Sequence, residues 1–90
     1  MAPSERHREA TRLMGLALGV WADRYGEHRA AASYPSVCPW GRRRFAVTAR
    51  ETGGELSAAI EATGPRVLLR RVTRALRAER AEREAAPCSQ

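Results

Sequence analysis

Two stretches of alternating apolar and polar residues, Arg44–Arg50 and Leu56–Thr63, flank Gly53-Gly54, and nothing else in the chain limits its fold as tightly. Phe45, Val47 and Ala49 alternate with Arg44, Ala46, Thr48 and Arg50, while Leu56, Ala58, Ile60 and Ala62 alternate with Ser57, Ala59, Glu61 and Thr63. A period of two marks half-buried strands, and the glycine pair marks the turn of a hairpin. With Gly53-Gly54 as a two-residue loop, Val47 falls opposite Ile60, Ala49 opposite Ala58 and Phe45 opposite Ala62, so the apolar residues share one face. The other face pairs Arg50 with Ser57 and Thr48 with Ala59 and is the wetter one.

The flanking segments have helical periodicity. The first begins near Ser4, an N-cap with Glu5 in the first turn, and runs to Tyr25. Leu13, Met14, Leu16, Ala17, Leu18, Val20, Trp21 and Tyr25 fill a broad apolar arc on it. Opposite that arc, Gly15, Gly19, Ala22 and Gly26 form a ridge of small residues. Such a ridge either is a tolerated surface feature or admits a close crossing, with the second helix or with a second copy of the chain. Thr63-Gly64 ends the second strand, and Pro65 fits the first position of another helix. There Leu68, Leu69, Val72, Ala75 and Leu76 make the apolar arc, and a solvated tail with a Glu79–Arg83 pair at i,i+4 follows until Pro87 stops the run. Between the first helix and the hairpin, Pro35 and Pro39 interrupt regular structure, although Ala30–Val37 can supply a short edge strand.

These elements give an α+β fold: an N-terminal helix, a two-stranded antiparallel hairpin with a possible third edge strand at 30–37, and a C-terminal amphipathic helix packed on one sheet face. The helices are expected to run nearly antiparallel. Ninety residues make one small domain with a single modest core and short disordered ends near 1–3 and 87–90. The expected core is Leu13, Ala17, Val20, Trp21, Phe45, Val47, Leu56, Ile60, Leu68, Leu69, Val72 and Leu76.

Charge is distributed less evenly than apolarity. Five arginines and no acid lie between Arg66 and Arg77, in a chain whose net charge is +6. All 16 basic residues are Arg, a bias that GC-rich codons produce, so arginine abundance alone says little. Clustering says more, because codon bias should scatter Arg among Glu. On a helical wheel Arg66, Arg70, Arg74 and Arg77 fall within about 80° opposite the apolar arc. Cations in the first turns oppose the helix dipole, and neighbours one turn apart repel by a few tenths of a kcal/mol per pair. A row of guanidinium groups placed at that local cost suits a phosphate backbone, and Arg42, Arg43 and Arg44 before the first strand extend the patch. The competing reading is a solvated face balanced by Glu51, Glu55, Glu61 or the Glu-rich tail, or by a dimer mate.

Other chemistry is poorly supported. The chain has a single Asp, two His, no Gly-rich phosphate loop before a helix and neither an HExxH nor a GxSxG pattern, so no nucleophile, base and orienter can be nominated. His7, His28, Cys38 and Cys88 lack the two-to-five-residue pairing of zinc sites, and no metal or cofactor is expected. The cysteines read as reduced structural thiols, and Tyr34 and Trp40 as satellite core residues that pack their loop down. Leu13–Ala22, the longest apolar run, is about half the ~20 residues of a spanning helix. A cytoplasmic protein without a membrane partner is the expectation.

The order helix, edge strand, hairpin and basic helix, the last opening as Pro65-Arg66-Val67-Leu68-Leu69-Arg70-Arg71, resembles the double-stranded-RNA-binding domain. In that family the final helix presents basic residues to phosphates, typically from a Lys-Lys-x-Ala-Lys type signature that this chain does not carry. The likeness covers most of the chain and is one of element order. The leading expectation is a small non-enzymatic accessory or regulatory protein that binds nucleic acid or another polyanion through Arg66, Arg70, Arg74 and Arg77. The alternative is a protein-interaction or homodimerisation module that uses Gly15, Gly19 and Ala22 or the open hairpin edge.

Overall fold

A computed structural model describes residues 3–33 and 44–85. It contains α1 (Pro3–Tyr25), β1 (Ala30–Ser33), β2 (Phe45–Arg50), β3 (Leu56–Ala62) and α2 (Pro65–Ala85). The strands form one antiparallel sheet in the order β1-β2-β3, so the α+β reading holds and the third strand is present. Within the expected 30–37 segment, β1 covers Ala30–Ser33, and residues 34–37 lie outside the described residues.

The hairpin register follows from its pattern. Phe45 pairs with Ala62, Val47 with Ile60, Thr48 with Ala59 and Ala49 with Ala58. Near the turn the expectation fails. Arg50 pairs with Leu56 rather than Ser57, because the register shifts between Ala49 and Arg50 and leaves Ser57 as the extra residue. The loop is also one residue longer than two glycines. Gly54 donates its N–H to Glu51 O at 2.8 Å, Glu51 donates to Glu55 O at 2.7 Å, and Gly54 alone of the pair has a positive φ, 88°. That is a three-residue loop, Thr52–Gly54, closed by a residue in the left-handed region that glycine occupies without strain. β1 joins the other side of β2, with Ala30 opposite Ala49 and Ala32 opposite Val47, which makes β2 the central strand.

Gly26 ends α1 rather than continuing a ridge. Its φ is 95° and its N–H donates to Ala22 O at 2.7 Å, the left-handed cap that glycine favours. At the other end α1 takes in Ser4 and starts at Pro3, a position where proline's missing N–H costs nothing. Pro65 opens α2 in the same way, and Leu68 donates to Gly64 O at 2.9 Å.

One cluster joins all the layers. Met14, Ala17 and Trp21 of α1, Phe45, Val47, Ala49 and Ala62 of the sheet, and Leu68 and Val72 of α2 are buried together, with Ala30, Ala32, Ala58, Ile60, Leu69 and Leu76 packed around them. The Trp21 and Tyr25 rings sit 4.5 Å apart at 47°, and the buried Trp21 indole N–H meets no acceptor among the described residues. Of the expected core residues, Ile60, Leu69 and Leu76 are half-buried and two are exposed, Val20 at 38% and Leu56 at 54%. Leu56 lies beyond the bulge, where alternation with Ala58 is broken. Val20 sits on the flank of an arc that is wider than the core needs. Ala75 is exposed as well, leaving Leu68 and Val72 as the centre of the α2 face.

The helices run in the same sense, not antiparallel. Glu9 near the start of α1 meets Arg66 at the start of α2, and Arg24 at the end of α1 meets Glu79 further along α2. The third strand is the reason. With it the chain reverses direction four times from α1 to α2, whereas a bare hairpin gives three reversals.

Candidate nucleic-acid interface

The second helix divides its arginines between two kinds of environment. Arg71 turns toward the sheet and donates to Glu61 O at 2.8 Å, which ties α2 back to β3. Arg66 reaches Glu9 Oε1 at 3.1 Å, although it stays 71% exposed. Glu9 also binds Arg12 through both carboxylate oxygens, at 2.9 and 3.2 Å. The Arg12 hydrogen bonds chiefly, with the charges of Arg12 and Arg66, hold the Glu9 carboxyl below its usual range.

Arg70, Arg74 and Arg77 behave differently. Together with Thr73 they line an open groove on the outer face of α2, and none has a carboxylate or carbonyl partner among the described residues. Thr73 takes no part in neutralising them, since its hydroxyl donates to Leu69 O at 2.8 Å. The three arginines span seven helical steps, about 10 Å of helix, comparable with three nucleotide steps of one strand at ~3.4 Å each.

The acids expected to balance this face are engaged elsewhere or make no ion pair with it among the described residues. Glu51 accepts from Arg29 at 2.9 Å, and Glu84 from Arg80 at 3.1 Å. Glu79 is bound by Arg24, not by the expected i,i+4 partner Arg83, although Arg83 is close enough to add to the lowering of its pKa. Glu61 lines a separate shallow groove with Arg44, Ala62, Thr63 and Arg71. Arg44 therefore adjoins Arg71 at the end of the sheet and lines a different groove from Arg70, Arg74 and Arg77. Arg42 and Arg43 lie outside the described residues, as do Tyr34, Cys38, Trp40 and Cys88.

The expected small-residue ridge is shorter than the sequence suggests. Gly15 and Gly19 are exposed, and a Cβ built on either meets nothing within 4 Å, so α2 does not make the close crossing there. Ala22 is half-buried and falls off the ridge. The hairpin edge on the β2 side is covered by β1, which leaves β3 as the open one.

Long-range ion pairs are what sequence reasoning missed. Glu9 with Arg66 and Arg24 with Glu79 join residues more than fifty positions apart, and neither pair leaves a periodic signal in the sequence. No helix among the described residues is long and apolar enough to cross a membrane. Comparison of the chain with protein-family models, with curated proteins and with solved structures finds no match.

Proposed function

We propose that this is a small non-enzymatic accessory protein that binds nucleic acid through its phosphate backbone, using Arg70, Arg74 and Arg77 on the outer face of α2. One observation carries the reading: three guanidinium groups share a face, and no acid among the described residues neutralises them. Arginine forks match phosphate oxygens in a bidentate way, and such contacts supply affinity without reading sequence. Arg66 is the fourth member in reserve, since Glu9 holds it only at the exposed surface.

The described aromatic residues favour backbone contact over base stacking. Trp21 and Phe45 are buried and Tyr25 is half-buried, so none offers a platform for an unstacked base. Duplex DNA and duplex RNA are the ligands that fit such a surface best. The test is fluorescence anisotropy with labelled duplex DNA, duplex RNA and single strands at 50 and 200 mM salt. Three neutralised phosphates should reduce duplex affinity some tens-fold across that range. Absence of binding at the lower salt concentration would overturn the reading.

A further inference from the structure

Cations from both helices converge on Glu9. Arg12 of α1 donates Nη2 to Oε1 at 2.9 Å and Nε to Oε2 at 3.2 Å, and Arg66 of α2 donates Nη2 to Oε1 at 3.1 Å. A fork on two oxygens with a third N–H from a second element is a donor set that holds an anion, and guanidinium forks fit carboxylate and phosphate alike. The arginine side chains face solvent, Arg12 at 59% and Arg66 at 71% exposed, whereas Glu9 is 26% exposed. Two cations on one acid also leave the cluster net positive, so it continues the field of the open row on α2 instead of closing it.

We propose that Arg12 and Arg66 form a further phosphate position, filled by the Glu9 carboxylate in the free protein and taken over by a phosphate of the nucleic acid on binding. This rests on the nucleic-acid reading of α2 and extends the contact surface to α1. Arg66 precedes Arg70 by one turn, about 6 Å of helix, which matches two nucleotide steps of one strand at ~3.4 Å each. Arg12 reaches the same carboxylate from α1, and packed helices lie about 8–10 Å apart, so the surface turns from α2 onto α1 at this end. Glu9 is thus an internal competitor, which holds the two guanidinium groups together and gives them up when the strand arrives.

The contact is of a kind that yields, because exposed ion pairs are weakly held and screened by salt. The Arg12 hydrogen bonds chiefly keep the Glu9 carboxyl below its usual range, so at neutral pH the competitor carries a full charge. Glu5, one turn earlier on α1, keeps negative charge near the position once Glu9 has left. Arg12 therefore adds less to binding than an arginine of the open row.

The experiment is a double-mutant cycle on the full chain, read by fluorescence anisotropy with a labelled duplex from 50 to 200 mM salt, using wild type, Arg12→Gln, Glu9→Gln and the two together. Arg12→Gln should weaken the Glu9→Gln protein about two-fold at the lower salt concentration and flatten its plot of log Kd against log salt by about one, whereas wild type should change little. Glu55→Gln removes the same charge at the hairpin turn and should not reproduce the tighter binding of Glu9→Gln. In wild type, which needs no variant to fold, the Arg12 Nε–Hε signal should move together with that of Arg66 as unlabelled duplex is added. An Arg12 signal that holds while Arg66 and Arg70 move, a cycle whose two changes simply add, a Glu9→Gln protein that binds no tighter, or a Glu55→Gln protein that tightens equally would each overturn the proposal and leave the α2 row standing. Wild type that binds no duplex at 50 mM salt would instead overturn the nucleic-acid reading, and this position with it.

Discussion

Arg29 and Arg70 carry the same side chain into opposite circumstances. Arg29 leaves the turn after α1 and spans the end of the sheet, donating Nε to Arg50 O and one terminal nitrogen to Glu51 Oε1, both at 2.9 Å. Arg50 in turn donates to Gly54 O at 3.0 Å, so the hairpin end is a closed arginine network. Arg70 stands with Arg74 and Arg77 around an open groove and has no such partner among the described residues. In a chain whose only basic residue is Arg, the count of arginines cannot separate a clamp from a binding surface. What separates them is whether the fold supplies an acceptor.

The largest effect should come from breaking the open side of this comparison. Changing Arg70, Arg74 and Arg77 together to Gln should reduce duplex affinity by tens-fold and flatten its salt dependence. The folded state should lose nothing and gain a few tenths of a kcal/mol per relieved like-charge pair. Anisotropy and thermal melts report the two halves of that outcome. Arg29→Ala attacks the closed side and should do the reverse. Its hydrogen bonds lie at a partly exposed site, so a loss of about 1 kcal/mol in denaturant unfolding, with duplex affinity little changed, is the expected result.

A smaller change sharpens the boundary between the two groups. Glu9→Gln releases Arg66 from its carboxylate and should convert the row of three into a row of four, raising duplex affinity about three-fold at low salt. Unchanged affinity would mean that Arg66 points away from the bound strand.

The smallest effect concerns acid. Glu9 and Glu79 have carboxyl groups held below the ordinary value of 4.5, each chiefly by an arginine hydrogen bond, from Arg12 and Arg24 respectively. A lowered folded-state pKa means that the unfolded chain binds the proton first. The stabilisation is therefore complete above the unfolded value and fades as pH falls through the folded one. Melting temperature should be level from pH 8 to pH 5, fall below about pH 4.5, and fall less in Glu9→Gln.

The parts of this fold that could be read from the residues were those with a local period. Val47 against Ile60 follows from alternation alone, and the arginine row follows from its spacing on a helix. The bulge at Ser57 and the three-residue loop could not be read, because Gly53-Gly54 suits a two-residue turn as well and nothing in Leu56-Ser57 marks the extra residue. Helix direction turned on Ala30–Ser33, four small residues with little strand preference of their own that pair because β2 offers an edge. The division of the arginines was illegible for a similar reason. Arg66 and Arg70 look equivalent on the wheel, and only the fold brings Glu9 to the first and, among the described residues, no carboxylate to the second.

The most direct test follows the arginine Nε–Hε signals by two-dimensional NMR while an unlabelled duplex is added at low salt. The account predicts that Arg70, Arg74 and Arg77 shift and saturate together, with Arg66 following, while Arg24, Arg29 and Arg50 hold their positions. If the shifts fall on Arg29 and Arg50, or spread evenly over every exposed arginine, the open face of α2 is not the nucleic-acid surface.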